Sequence, residues 1–328
     1  MSILSSSQRE RFLHAVASLY YNEGKTQEEV AALLGVSRSK VLRALQEARS
    51  VGIVQITIVD PSATNEALAA ELERALGLAR AVVTTAHPTD GNFTRQRVGH
   101  AAATYLKEVL PDGGTLGIGW GRTLYDVTQT LEFSRRYDTQ VVPLLGGLGK
   151  IAPSFQVHDT ARVAAEKLGG TWRAFYVPAI VDSAAAYESL MASSDVGHVT
   201  AAWRDLDVAL VGIGNVDLGQ DVQMLFADYV DGPTADQLRS TGAVGDICMR
   251  FFDVHGVPID GALQYLFSIE LQQLAAIPRK IAVASGVAKA AAILGAARGG
   301  YINALVTDSA AATEVLRLAQ DPNDGSER

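Results

Sequence analysis

The stretch 25–49, KTQEEVAALLGVSRSKVLRALQEAR, constrains this chain more than any other, because its spacing specifies two short helices joined by a tight turn. Thr26 can cap the first helix while Glu29, three residues on, reaches back to the N–H of the cap, a capping box. Val30, Leu33 and Leu34 recur at helical spacing, small Ala31 leaves room for a close neighbour, and Gly35 stands where the chain must turn with positive φ. Ser37 then caps a second helix whose apolar stripe is Val41, Ala44, Leu45 and Ala48, with Arg38, Ser39, Lys40, Arg43 and Gln46 facing elsewhere. An ordinary αα-hairpin with a solvated basic face is one reading. A helix-turn-helix is the better one, because Ala31, Gly35 and Val41 have its spacing and residues 37–49 carry Arg38, Lys40, Arg43 and Arg49 against Glu47 alone. In that reading the second helix enters the major groove of double-stranded DNA. Its contact candidates are Ser37, Arg38, Ser39, Lys40, Arg43, Gln46 and Arg49, with Arg38, Ser39 and Arg43 at bases or adjacent phosphates and Lys40 and Arg49 mainly at phosphates.

The net charge of −8 argues at first against a nucleic-acid partner, since phosphate contacts need Lys and Arg. The distribution removes the objection: residues 1–60 are near +1 and the remainder carries −9. Only the amino-terminal part is built for DNA. So small a positive charge on so acidic a chain implies that two or more recognition helices act together. The 328 residues, 48% of them apolar, suit two domains, and the break at Asp60, Pro61 and Ser62 places the boundary at about residue 60. Cys248, the single cysteine, excludes an intrachain disulfide framework and a cysteine zinc cluster, which fits a reducing cytoplasm and a buried structural thiol. His158 and His255 lack metal-ligand partners at useful spacing, so no metal is expected. No apolar run is long enough for a signal peptide or an uninterrupted membrane span, so a soluble, untargeted protein is expected.

Residues 8–22 place Phe12, Val16, Leu19 and Tyr20 on one face of a supporting helix, and 53–59 alternate as a strand, either a wing or a linker. Residues 64–77 read as a helix that either connects or oligomerises subunits or packs on a core. From Arg80 onward short β-rich runs alternate with helical stretches, the pattern of a doubly wound, mostly parallel α/β sheet. The expected strands are 81–85, 115–118, 140–145, 174–177, 208–213, 247–251, 281–284 and 304–307; the expected helices are 94–109, 122–135, 157–168, 185–203, 268–276, 287–297 and 310–319.

In such a sheet, ligands bind beyond the carboxyl ends of strands, where glycine turns bring N–H groups and helix amino ends together. LGIGWGRTL offers Gly117, Gly119 and Gly121 for an anion-binding curl, with Arg122 and Thr123 opening the next helix; a tight turn made for packing is the alternative. The spacing G-x-G-x-G matches neither a dinucleotide fingerprint nor a Walker A loop, so no nucleotide cofactor is expected. LLGGLGK, VGIGNV and VASGVAK repeat the arrangement with Gly146, Gly147, Gly212, Gly214 and Gly286. Lys289 interrupts an apolar helix at this edge and can meet an anion, while Asp308 can accept from a sugar hydroxyl; an ordinary surface charge is the alternative for either. Lys150, Asp246 and Gln156 are weaker candidates. The rival from another class is a sugar-phosphate isomerase or deaminase-like enzyme with a fused DNA-binding module, a reading that rests on the resemblance of such a sheet to these enzymes. Catalysis of that kind needs a positioned general base, and no pair of carboxylates, or of carboxylate and lysine, has a spacing that demands it.

The segments SRSKVLRALQEARSVGIVQITI, GIGWGRTL, LLGGLG, ALVGIGNV, GAVGDICMRFFDVHG and VASGVAKAAAILGAARGGYINALVTD, in this order from about residue 8 to 320, together resemble the SorC family of bacterial transcriptional regulators, also called DeoR-type. The resemblance implies a winged-type helix-turn-helix joined to an effector domain similar to ribose-5-phosphate isomerase and glucosamine-6-phosphate deaminase. It also implies homotetramers on palindromic operators of carbohydrate operons, with a phosphosugar, sugar or sugar alcohol as effector. Carried over by motif, Gly117, Gly119, Trp120, Gly121, Arg122 and Thr123 form the effector loop, with Gly146, Gly147 and Lys289 opposite. After the FFDxxG segment many relatives have a polar, basic cluster where this chain has Leu263, Gln264, Tyr265 and Leu266, which shifts the expectation toward an unphosphorylated sugar or polyol.

Overall fold

The structure is a computed structural model, and it describes residues 6–54, 64–132, 136–148, 156–216, 238, 240–261 and 263–320. The chain divides into two units, Met1–Asp60 and Pro61–Arg328.

In the smaller unit, α1 (Ser6–Ala17) runs into a π turn at Ser18–Asn22 and is followed by α2 (Gln27–Leu34) and α3 (Arg38–Ser50). The capping box forms: Glu29 Oε2 accepts from the Thr26 N–H at 2.7 Å and Thr26 Oγ1 accepts from the Glu29 N–H at 3.3 Å. Gly35 ends α2 at φ +63°, a left-handed conformation that a side chain resists, and Ser37 caps α3 two residues later. Leu13, Val16, Val30, Ala31, Val41, Ala44, Leu45 and Ala48 make the core of this unit, so the apolar stripe of α3 is spent on packing and its opposite face is left to solvent. The strand expected at 53–59 lies outside the described residues from position 55 onward.

The larger unit begins with α4 (Glu66–Leu76), whose Ala69 and Leu72 are buried in the core, in accord with the core-packing alternative for this helix. It continues through β1 (Arg80–Thr84), α5 (Gly91–Val109), β2 (Thr115–Ile118), α6 (Arg122–Thr130), β3 (Gln140–Pro143), α7 (Val157–Leu168), β4 (Thr171–Trp172), α8 (Ala184–Met191), α9 (Ser194–Ala202) and β5 (Val208–Gly212). Then come β6 (Gly214–Asn215), β7 (Ala243–Ile247), β8 (Arg250–Asp253), β9 (Pro258–Ile259), α10 (Leu271–Ala276), β10 (Arg279–Val283), α11 (Ala290–Arg298), β11 (Ala304–Asp308) and α12 (Ser309–Ala319). Seven strands pair in the order β1-β11-β10-β5-β2-β3-β4, and every pairing is parallel. Successive residues of β5 go to opposite faces: Val208 and Leu210 pack with α5, α6 and α7, while Ala209 and Val211 pack in the core that contains α4, α11 and α12. This is why the strands read as continuous apolar runs.

Several elements differ from the sequence expectation. The run 247–251 is not a parallel strand but the tip of a hairpin: β7 and β8 are antiparallel, Cys248 and Met249 form the turn at φ +52° and +66°, and β6 to β9 make a separate four-stranded sheet. The apolar run misled because two non-glycine residues hold the positive φ of a type I′ turn. Residues 174–177 are not a strand; pairing with β3 stops at Trp172, although Phe175 and Val177 are buried and Tyr176 is exposed in strand-like alternation. The helix expected over 185–203 breaks at Ser193, which takes an extended conformation and starts α9. The 287–297 helix opens as a 3₁₀ turn, Val287–Lys289, and those expected at 122–135 and 268–276 are shorter, with residues 133–135 outside the described residues.

Candidate functional site

All seven strands of the parallel sheet point their carboxyl ends the same way, and β2 and β5 lie side by side. The chain leaves β2 toward β3 on one side and leaves β5 toward β10 on the other. That reversal opens a crevice between the two strand ends, the place where open α/β sheets bind ligands. A cavity of about 540 Å³ lies there, lined by Trp120 to Leu124, Gly212 to Gly214, Val283 to Ser285, Lys289, and residues brought from two further directions. Thr89, Asp90, Gly91, Asn92 and Arg95 come from the start of α5, and Asp246 and Cys248 from the β7–β8 hairpin.

The helix ends at this edge differ. Asp90 caps α5 by accepting from the Phe93 N–H at 3.0 Å. Gly121, at φ +119°, precedes α6 with no side-chain cap, so the first N–H groups of α6 stand open at the cavity edge with Arg122 beside them. Arg95 is fixed by an ion pair to Asp126 at 2.5 Å and donates to Asn92 Oδ1 at 3.0 Å. Asp246 is buried, and a Cβ on Gly214 would collide with its carboxylate, so only glycine at 214 allows this approach. The second carboxylate oxygen accepts from the Met249 N–H at 3.0 Å, which helps to hold the hairpin turn.

Burial pushes the Asp246 carboxyl above its ordinary range, against the pull of Lys289 and of the Met249 N–H. Burial likewise pushes the Lys289 ammonium down to about 8, with Asp246 raising it and Arg122 lowering it. The Cys248 thiol is raised, first by burial and then by Asp246, so it is an inert thiol in the cavity wall. The Arg95 charge is met by Asp126, so Arg122, Lys289 and the open end of α6 are left to face Asp90 and Asp246, an arrangement that suits a small polar molecule.

Of the residues singled out from sequence, Trp120, Gly121, Arg122, Thr123, Gly212, Gly214, Asp246 and Lys289 line this cavity. The others do not. Gly117 and Gly119 lie beneath it: Gly117 packs against Leu144 and Leu206, and Gly119 donates its N–H to Leu210 O at 2.9 Å. Gly146 and Gly147 bring their backbone against Val177 to Ala179, and their N–H groups are used by Phe267 O and Val177 O. Gln156 bonds both polar groups of its side chain to the Leu148 backbone. Asp308 is fully buried; it accepts from the Ala310 and Ala311 N–H groups at the start of α12 and from the Gly286 N–H at 2.6 Å, so it shapes the turn before Lys289 and leaves no carboxylate for a sugar. Leu266 is buried against Ile180 away from the cavity, so the 263–266 departure does not bear on charge in this site. Lys150 lies outside the described residues. The α5 start was missed, although the strand-then-Asp-Gly-Asn pattern after β1 is the same kind of signal as GWGRT after β2.

On the smaller unit, Ser37, Arg38, Ser39, Lys40, Arg43, Gln46 and Arg49 are all exposed. Arg38 pairs with Glu28 at 3.0 Å, Arg43 donates to Ser39 O at 3.2 Å, and Arg49 donates to the Tyr21 hydroxyl at 2.6 and 3.0 Å. Among the described residues no group of acidic, His and Cys side chains is arranged to hold a metal, and no helix is long and apolar enough to cross a membrane.

A family model described as a sugar-binding domain matches residues 60–317. The sorbitol operon regulator of Klebsiella pneumoniae is 31% identical over 96% of this chain and all of its own length. The deoxyribonucleoside regulator of Bacillus subtilis is 31% identical over 89% of this chain and 93% of its own. The crystal structure of the full-length sorbitol operon regulator SorC from K. pneumoniae superposes with a TM-score of 0.73 at 30% identity, covering 94% of this chain and 98% of that one. These relatives are regulators of transcription rather than enzymes. The parallel α/β sheet, its ligand-sized crevice and this similarity over nearly the whole length lead to one conclusion: the chain belongs to the SorC family of sugar-binding transcriptional regulators.

Proposed function

We propose that residues 1–60 are a helix-turn-helix domain that reads operator DNA through α3, and that residues 61–328 bind a sugar-class effector and carry the subunit contacts of a cytoplasmic homotetramer. The effector domain is of the ribose-5-phosphate isomerase and glucosamine-6-phosphate deaminase kind, without a catalytic role. One observation carries the effector reading: two cationic side chains, Arg122 and Lys289, and an uncapped helix end converge at the strand crevice, beside a buried carboxylate suited to hydroxyl groups. That combination favours a phosphorylated sugar over a neutral polyol, with phosphate toward Arg122 and the α6 end and the hydroxyls toward Asp246. Effector binding changes operator affinity only so far as it favours one arrangement of the subunits, and hence one spacing of the recognition helices, over the other.

A melting-shift screen of the full-length protein over sugars, polyols and their phosphates tests this, followed by operator binding with the ligand found. A phosphate ester at about 100 times its Kd should stabilise the larger unit by about 2.7 kcal/mol, or roughly 5–10 °C. Absence of any shift, or conversion of a sugar phosphate to product, would overturn the assignment.

A further inference from the structure

The solvent face of α3 carries an aliphatic side chain that its fold does not use. Ser39, Leu42, Arg43 and Gln46 share the face opposite the buried stripe of Val41, Ala44, Leu45 and Ala48, at helical intervals of three and four. Leu42 is 43% exposed and takes no part in the apolar cluster of the unit. The cations that flank it are held by the protein itself: Arg38 by Glu28 and Gln27 on α2, and Arg49 by the Tyr21 hydroxyl. Leu42 therefore stands exposed on α3 between Arg38, one turn before it, and Arg49, two turns after it, beside Arg43 and Gln46; a helix that reads the major groove through Arg43 and Gln46 carries Leu42 into the same groove. Only one base presents an apolar group in that groove, thymine with its C5 methyl.

We infer that Leu42 is a specificity residue that reads a thymine methyl group, with Gln46, one turn further along α3, placed to pair with an adenine edge. The inference rests on the DNA-reading role proposed for α3.

The test selects duplexes from a random library with the full-length protein, then replaces each thymine of the selected half-site in turn with deoxyuridine, which deletes the methyl and leaves the hydrogen-bonding edge unchanged. For the native protein, one thymine per half-site should be sensitive, with binding weakened about fourfold, the effect of burying one methyl group. Leu42→Ala and the polar Leu42→Gln should bind the thymine and deoxyuridine duplexes equally, and selection with Leu42→Gln should lose the preference for thymine at that position. Because Leu42 is exposed, both variants should keep the native circular dichroism spectrum. Methyl dependence that persists in the two variants, or is absent from the native protein, overturns the role of Leu42 while leaving the DNA-reading role intact. Failure of the native protein to enrich any sequence overturns both.

Discussion

Replacing Lys289 with Met should make the ligand-free protein more stable while weakening its response to an anionic effector. The side chain is half-buried at the crevice, and burial of the ammonium brings its titration from 10.5 down to about 8. At about 1.36 kcal/mol per unit, holding that charge at the crevice costs about 3 kcal/mol, or nearer 2 once water reaching the half-buried chain is allowed for. The attraction of Asp246 is already contained in this shift. Methionine fills a similar volume without charge, so Lys289→Met should raise the melting temperature at pH 7 by several degrees. The pH dependence has a definite sign. The unfolded chain keeps the proton up to 10.5 whereas the folded chain loses it near 8, so the native protein gains stability between these values and the advantage of the variant shrinks to nothing above them. Tryptophan fluorescence isolates the relevant unit, because Trp120, Trp172 and Trp203 all lie beyond residue 60. A variant that melts no higher than the native protein at pH 7, or an advantage that persists unchanged at pH 10.5, would refute the reasoning.

Three further expectations follow from contacts already described. Arg43→Ala should weaken operator binding by about 1–3 kcal/mol and relax specificity at one position, if the guanidinium pairs with guanine; anisotropy titrations against single-base variants of the selected duplex measure both. Leu45→Ala opens a cavity in the small core and should destabilise that unit by about 2–5 kcal/mol. It should abolish DNA binding yet leave the tryptophan unfolding transition where it was. Asp126→Ala strips the partner from Arg95, whose side chain is 20% exposed, and should destabilise the larger unit by about 2 kcal/mol, less than the 3–5 typical of full burial. Denaturant titration followed by tryptophan fluorescence checks it.

The smaller unit was legible because its signals are local: the Thr26–Glu29 box, the Gly35 turn and the α3 stripe each lie within a few residues of what they determine. The parallel sheet was legible for a similar reason, since strands buried on both faces are continuous apolar runs. The site was half legible. Glycine after a strand marks a tight approach but not what approaches: at Gly214 it is the Asp246 carboxylate, and at Gly146 it is the backbone of Pro178. Asp308 looked free for a ligand in the sequence, whereas its oxygens are taken by N–H groups from two turns. Arg95 was invisible because its role depends on Asp126, 31 positions away. The hairpin was hidden because nothing in Cys248-Met249 announces a left-handed turn.

The hairpin gives the crevice a mechanical property. Asp246 and Cys248 belong to the hairpin of the small antiparallel sheet, whereas Trp120 to Thr123 and Gly212 lie at the carboxyl ends of the central strands β2 and β5 of the large parallel one. The two sheets are already joined where β5 passes into β6 through Ile213 alone, and a molecule bonded to Asp246 and to the α6 end at once would rivet them a second time. Occupancy would then become stiffness between the sheets, felt at a distance from the ligand.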